Sequence, residues 1–507
     1  MRSSTDSSVS LTLSFAGSKS NPKVSSLAVD FYLRWRARNA SEQSFHENHE
    51  VPPPEKLLQA IWQHQRLLRD QLQTMDGQPV RILHPGFKNH ESGPDFRGAV
   101  VQIGADAPRS GDLEIDLHPS GWRAHGHDKN PAFGNVVLHV TWDGEHEAAK
   151  GMPTLTLRGK LDAPIRELDA WLGRDAFQSI PDALQGKCRA PLRDLSPDLL
   201  QELLHQAARV RWQIKGNHFQ ARAKQVGWEQ ALWEGMFRAL GYKHNVWPMQ
   251  SLAELRLRWS RAPIEPLGLQ ARLLGVGGLL PDELTRTQIA TDNYLRRVWD
   301  AWWRERDELS ACVLPRGLWR FNGLRPANHP QRRLALASHW LAAGNLVPKL
   351  EKWFLADVPD RQLADSLCEV LQVEKDEYWS WHWTFRSARL ARPQPLLGTA
   401  RVTDLAVNVI LPWFWVRAGE GGNDKLQRVA EQRYFGWPSA EDNSVLRQAR
   451  RRLLGGAKPG ALPGAAAQQG LLQIVRDFCD HSNALCEQCE FPELVAGIHS
   501  IAEPRVS

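Results

Sequence analysis

Residues His84 to Val140 read HPGFKNHESGPDFRGAVVQIGADAPRSGDLEIDLHPSGWRAHGHDKNPAFGNVVLHV. Within it, Leu113, Ile115 and Leu117 alternate with Glu114, Asp116 and His118. A period of two is the mark of a strand, so Gly111 to His118 is read as one. Glu114, Asp116 and His118 then share a face, with successive members roughly 7 Å apart by strand rise. Phe96 to Ile103 precedes it as the other arm of a hairpin, and Asn135 to Trp142 follows. Pro79 to Leu83 and Thr154 to Arg158 add a strand on either side. Polar side chains suited to chemistry gather in this stretch: His84, Asn89, Asp95, Glu114, Asp116, His118, His125, His127 and His139.

Outward from this stretch the period changes. Upstream, Glu55 to Leu72 has Leu57, Leu58, Ile61, Trp62, Leu67 and Leu68 at helical spacing, behind Pro52-Pro53-Pro54. Residues 26–38 read as a short basic amphipathic helix, and the Ser-rich residues 1–25 as a disordered tail. Downstream, Leu161 to Leu172 reads as a helix, and Pro181, Pro191 and Pro197 mark a boundary. Beyond it Leu and Trp recur every three or four residues. Helices are expected at about 198–224, 228–241, 249–260, 264–275, 281–308, 331–343, 346–357, 359–372, 375–390, 402–419, 424–434, 440–454 and 465–479. Residues 455–467, rich in Gly, Ala and Pro, read as a flexible connection. The expected fold is an α+β or α/β N-terminal domain with a four- to five-stranded sheet, then a large all-α domain. The expected division is a tail over 1–25, a strand-containing domain over 26–165, a linker over 166–196 and a helical domain over 197–507.

The 507 residues carry a net charge of +6, which permits a polyanionic partner such as nucleic acid without requiring one. The 22 Trp suit helix–helix contacts or, more sharply, stacking platforms for bases or sugars. No apolar run is long enough to span a membrane. Residues 1–25 lack the continuous apolar core of a signal peptide. Six Cys without a regular framework fit a reducing cytoplasm.

Asp95, in Gly93-Pro94-Asp95, leads into one strand, and Glu114 lies 19 residues on in the next. Two carboxylates joined this way can hold Mg²⁺ or Mn²⁺, ions that prefer oxygen ligands. Such an ion can generate a nucleophile and stabilise a leaving oxygen. The layout resembles the PD-(D/E)xK nuclease superfamily, with Pro94-Asp95 and Glu114-Ile115-Asp116 at the matching positions. The resemblance implies a metal-binding role for Asp95 and Glu114. It departs from the superfamily at Asp116, which stands where a water-orienting Lys belongs; Lys88 and Lys129 are the available replacements. The segment between the third and fourth strands also makes a poor version of that superfamily's helix, because Pro119, Gly121, Gly126, Pro131 and Gly134 interrupt it. The competing reading is a Gly-Pro-Asp turn and a solvent-facing Glu on an edge strand.

His125-Gly126-His127, with His118 before and His139 after, offers imidazoles for a transition metal or for acid–base work. The alternative is loop histidines that cap backbone groups. Cys479, Cys486 and Cys489 are spaced C-x₆-C-x₂-C with His481 between them, a spacing that can wrap Zn²⁺ or an iron–sulfur cluster. That spacing resembles the start of the four-cysteine loop of base-excision glycosylases, without its fourth Cys. Arg325, Arg332 and Arg333 face phosphate or, more simply, bridge buried structure.

The string His84-Pro85-Gly86, Asn89, Gly93-Pro94-Asp95-Phe96, Gly111-Asp112-Leu113-Glu114-Ile115, Trp122, His125-Gly126-His127 and Asn135 to Val140 resembles an uncharacterised bacterial family known only as a domain of unknown function. The resemblance spans about residues 50–495 and implies that the strand-rich and helical parts travel together. The expected function is a metal-dependent phosphodiesterase acting on nucleic acid, with Asp95 and Glu114 on the metal and Asp116 or His118 assisting. His125, His127 and His139 then serve as acid–base or supporting groups. A non-catalytic scaffold with a β-rich binding module is the other expectation. A parallel central strand pair favours the first, and a simple meander the second.

Overall fold

A computed structural model describes Tyr32 and residues 52–89, 93–144, 151–172, 190–242, 244–259, 265–284, 293–321, 324–441, 444–455, 462, 464–479 and 491–502. The first helix, α1 (Glu55–His64), starts behind Pro54, whose carbonyl accepts from Leu57 and Leu58 N–H. It buries Leu57, Leu58, Ile61 and Trp62. It stops eight residues short of the expected Leu72. Gln65 turns left-handed (φ 52°), Arg66 N–H reaches back to the Ile61 carbonyl, and Gln65 N–H to that of Trp62. The next residues are then drawn to the 160–162 turn: Leu68 N–H bonds Lys160 O, and the Arg66 guanidinium pairs with buried Asp162 at 2.8 Å.

Six strands follow: β1 (Val80–His84), β2 (Phe87–Lys88), β3 (Phe96–Ile103), β4 (Arg109–Asp116), β5 (Val136–Thr141) and β6 (Thr154–Thr156). They form one mixed sheet in the order β1-β3-β4-β5-β6, with the short β2 also on β3. β1, β3 and β4 run antiparallel, whereas β4, β5 and β6 run parallel. The central pair is therefore parallel, and β4, expected by one reading to be an edge, lies in the middle. Leu113, Ile115, Leu138 and Val140 face α1 and α3 (Ile165–Leu172), an apolar layer in which every one of them is buried. The helix following the sheet, read as the start of a linker, thus belongs to the sheet's core through Leu168 and Leu172. Between β4 and β5 stands only the short helix α2 (Gly121–Ala124) and two single turns, His127–Lys129 and Pro131–Phe133.

The rest is helical, as expected. The long α4 (Pro197–Val226) is capped by the Ser196 hydroxyl and closed at Gly227 (φ 83°). Most other helices fall close to their expected bounds, with π turns at Ala406–Ile410 and Val475–Cys479, but among the described residues the helix expected over 281–308 runs only over Tyr294–Leu309, and residues 281–284 are not helical. Residues 375–390 do not form a helix. Asp376 Oδ1 takes the N–H of Tyr378 and Trp379, and Ser387 Oγ those of Trp383 and Thr384. Short polar side chains here outcompete the helix for its own donors. A further helix, Phe491–Ala502, was not anticipated.

Most tryptophans serve packing: Trp379, Trp413 and Trp437 are fully buried in one large helical core. Arg332 and Arg333 are structural, donating to the carbonyls of Trp379, Gln394, Pro395 and Leu396. Tyr32, expected with the strand domain, inserts instead among the C-terminal helices, where its hydroxyl donates to Asp477. The two halves are joined by Leu83 and Val100, which enter the helical core, and by Arg69–Glu254 (2.9 Å) and Arg222–Asp70 (2.8 Å). No helix among the described residues is long and apolar enough to cross a membrane.

Candidate functional site

β4 carries the acids to the site. With Leu113 and Ile115 committed to the core, Glu114 and Asp116 project from the opposite face, both nearly fully buried. The face is covered rather than solvated, which overturns the reading of Glu114 as a solvent-facing residue of an edge strand. Asp95 sits at the start of β3 and closes the ladder with its side chain. Its Oδ2 accepts from Ile115 N–H (3.1 Å), and its own N–H donates to Glu114 Oε2 (3.0 Å). Gln59 on α1 donates to Asp95 Oδ1 (2.8 Å). Asn89 holds the preceding turn through the Pro94 carbonyl (2.9 Å).

The parallel neighbour β5 places His139 beside Glu114 in register. His139 Nε2 meets Asp116 Oδ2 at 2.9 Å, and its Nδ1 is buried without a hydrogen-bond partner. From the loop, His125 Nδ1 reaches Asp116 Oδ1 at 3.0 Å, and His127 Nε2 stands 3.3 Å from Glu114 Oε1. That His127 nitrogen is buried and lacks a hydrogen-bond partner despite the short approach. Trp122 and Phe133 pack on these imidazoles, with Phe133 4.0 Å and Trp122 5.5 Å from the His127 ring centre. A small apolar roof of Trp122, Phe133, Val136 and Met152 thus takes the place of the missing helix. Gly121 is required beneath it, because a Cβ there would lie 2.7 Å from Asp116 Cγ.

One member of the cluster was missed in the sequence. Glu55, in the first turn of α1, interacts electrostatically with Asp95, Glu114 and Asp116. An acid in a helix's first turn is also what the helix dipole favours, so nothing in the local sequence set it apart. Four carboxylates under an apolar roof are costly to ionise together. Burial, then the charge of Glu55, lifts Asp95 to about 7. Burial, then the charge of Asp95, lifts Glu114 to about 9. Glu55 is raised by burial and by Asp116. Burial lowers His127, leaving it a neutral imidazole at neutral pH.

Not every expected residue joins. His118 falls beyond the end of β4 and its Nδ1 meets Asp143 at 2.9 Å. His84 is buried away from the cluster; its Nδ1 accepts the Gly86 N–H, and burial with nearby Arg320 lowers it to about 4. Lys129 is exposed, and Lys88 stands on the short β2. Cys486, Cys489 and His481 lie outside the described residues, as does the side chain of Cys479.

The chain belongs to the family described as Protein of unknown function (DUF2851), which matches residues 55–443. That span takes in the sheet, the acid–imidazole cluster and most of the helical half. No curated protein and no solved structure matches the chain.

Proposed function

We propose that the protein is a metal-dependent phosphodiesterase acting on nucleic acid. The observation that carries this reading is a cluster of four mutually interacting carboxylates, buried Glu114 and Asp116 with partly buried Asp95 and Glu55, at one end of a parallel strand pair. Natural proteins seldom bury several acids side by side unless a cation or a proton offsets them. The donor set fits a divalent ion. Glu114 Oε1 faces inward toward His127, and Asp95 is held by Gln59 and the Ile115 amide in a fixed orientation. Asp95 and Glu114 would hold Mg²⁺ or Mn²⁺, which when bound polarises a phosphoryl oxygen and acidifies an attacking water.

The chain's own residues supply the rest. Glu55 is half-buried at the edge of the cluster, and burial and the charge of Asp116 raise its pKa, the direction that suits a general base. It takes the proton of the attacking water as the new P–O bond forms and the ester P–O bond breaks. Asp116, fixed between His125 and His139, occupies the position of the superfamily's Lys and orients its neighbours. A nucleic-acid substrate is supported by two aromatic surfaces in the helical half. Trp381 lies between Lys375 Nζ (4.6 Å) and the Arg389 guanidinium (4.1 Å). Exposed Trp303 stacks on Trp299 and carries Arg306 over its face. Such cation-flanked rings suit bases and phosphates together. Cytoplasmic placement, suggested by cysteine usage, is part of the same proposal.

The test is Mg²⁺- or Mn²⁺-dependent cleavage of single- and double-stranded DNA and RNA. Asp95→Ala and Glu114→Gln are expected to lower the rate by on the order of 10²-fold or more. Cleavage undiminished in Asp95→Ala, or absent from the wild type with every substrate and ion, sinks the reading.

A further inference from the structure

The acids and imidazoles at the roof are arranged differently from the two acids of the sheet. Among the described residues, ligating atoms of Asp116, His125 and His127 come within 4.8 Å of one another. One separation inside this group is close, 3.0 Å for His125 Nδ1 to Asp116 Oδ1, and a second, 3.3 Å for His127 Nε2 to Glu114 Oε1, joins the group to Glu114. An ion bound at ~2.1 Å to each ligand has ligand–ligand edges of about 3.0 Å in an octahedron and about 3.4 Å in a tetrahedron. Both contacts have the length of such an edge.

The hydrogen bonding says the same. His127 Nε2 is a buried nitrogen close to a carboxylate oxygen, yet makes no hydrogen bond to it. Buried polar atoms are nearly always satisfied, so an orphan at this place calls for a missing partner. A lone pair aimed at a cation, beside an oxygen aimed at the same point, accounts for both atoms. His139 supplies what surrounds a metal ligand. With Nε2 carrying its proton it donates to Asp116 Oδ2 and leaves Oδ1 turned toward His125. Trp122 and Phe133 lock the His127 ring from two sides.

We propose that Asp116, His125 and His127 form a site for a divalent transition ion, with Glu114 Oε1 as its neighbouring oxygen and His139 as the residue that positions Asp116. Two imidazoles and one carboxylate select against Mg²⁺, which prefers oxygen and water, and in favour of zinc-, cobalt- or nickel-like ions. His125 is the most exposed of the three, at 56%, so the ion's open positions lie on its side. This goes beyond the proposed function by adding a nitrogen-bearing site beside the Asp95–Glu114 pair, and rests on that reading only for what the ion would do, not for where it binds.

The test uses Co²⁺ as the probe on the full chain after chelator treatment. Its visible bands report nitrogen and oxygen donors, whereas thiolate ligands add intense near-ultraviolet absorption. One equivalent with visible bands and no thiolate absorption is expected. His127→Gln and His125→Ala should each weaken binding 10-fold or more. His139→Gln should weaken it by about 10- to 100-fold, the range for a residue that orients a metal ligand, while leaving the band positions in place. Melting of the metal-free variants at the wild-type temperature guards against misfolding, and Mg²⁺ should bind at least 10-fold more weakly than Co²⁺. Bands that persist in a His125→Ala/His127→Gln double variant, thiolate bands alone, no Co²⁺ binding, or Mg²⁺ binding as tightly as Co²⁺ would overturn the proposal. Co²⁺ bound without phosphodiester cleavage sinks only the hydrolase, and Mg²⁺-driven cleavage without Co²⁺ binding sinks only this site.

Discussion

Glu114 illustrates how single residues carry opposing demands. Its backbone is central to the sheet, its Oε2 braces Asp95, and its carboxyl is held far above the ordinary carboxylate range. A raised folded-state pKa means that the native protein holds a proton which the unfolded chain releases from about pH 4 upward. Without metal, stability from this group is therefore present at low pH and declines as pH rises from about 4 toward about 9. Glu114→Gln keeps the bond to Asp95 N–H and removes the charge. It should make the metal-free protein more stable at pH 8 by roughly 1–3 kcal/mol and leave it little changed near pH 4. Urea unfolding at the two pH values reads this directly, and an equal effect at both would exclude charge as the cause. Asp95 contributes with the same sign, but its carboxylate also serves the sheet as an acceptor for Ile115 N–H. Asp95→Ala is accordingly expected to lose about 1–3 kcal/mol of stability, from the unmet buried amide, alongside its activity.

Among the elements, the parallel β4–β5 pair matters most because it sets Glu114 beside His139. Its close approach depends on Gly111. A Cβ there would come within 2.3 Å of Val137 Cγ1 and 2.5 Å of the Asn135 carbonyl oxygen. Gly111→Ala should push the strands apart, cost about 1–3 kcal/mol, and weaken metal binding through His139. Calorimetric melting with and without Co²⁺ separates the two losses. The strands themselves were legible in the sequence, since alternation at Leu113 to Asp116 and apolar runs at Phe96 and Val136 are local facts. So was the grouping of Glu114 with Asp116, which strand parity alone dictates. Parallel pairing was not legible, because it depends on where the chain re-enters the sheet after 19 irregular residues, 117–135. Nor was Glu55, brought in from another element by packing. The 375–390 segment failed for a different reason: its apolar spacing is helical, but Asp376, Ser380 and Ser387 claim the backbone donors first.

Across the whole molecule, the sheet and the helices behave as one packed body. Charges at their junction form a chain from exposed Asp70 through buried Arg222 to buried Glu234, and a largely buried pair joins Arg69 to Glu254. Removing one partner leaves the other buried and unpaired, which costs about 3–5 kcal/mol. Glu254→Ala should therefore lower stability by that amount. Because Leu83 and Val100 belong to the helical core, it should do so in one cooperative transition rather than by releasing the sheet alone. Unfolding followed by intrinsic tryptophan emission and by far-ultraviolet dichroism should coincide; separate midpoints would show that the junction is weaker than its burial implies.

The loop between β4 and β5 has a consequence for descent and for engineering. The acids Asp95, Glu114 and Asp116 are fixed by strands, whereas His125, His127, Trp122 and Phe133 all come from one short connection. Oxygen donors and nitrogen donors are thus inherited on separate segments. On the proposed metal sites, exchanging residues 117–135 alone should alter the relative affinity for Co²⁺ and Mg²⁺ while leaving the sheet and its acids as they are. On that proposal, one scaffold could be fitted to different metal supplies by replacing a single connection.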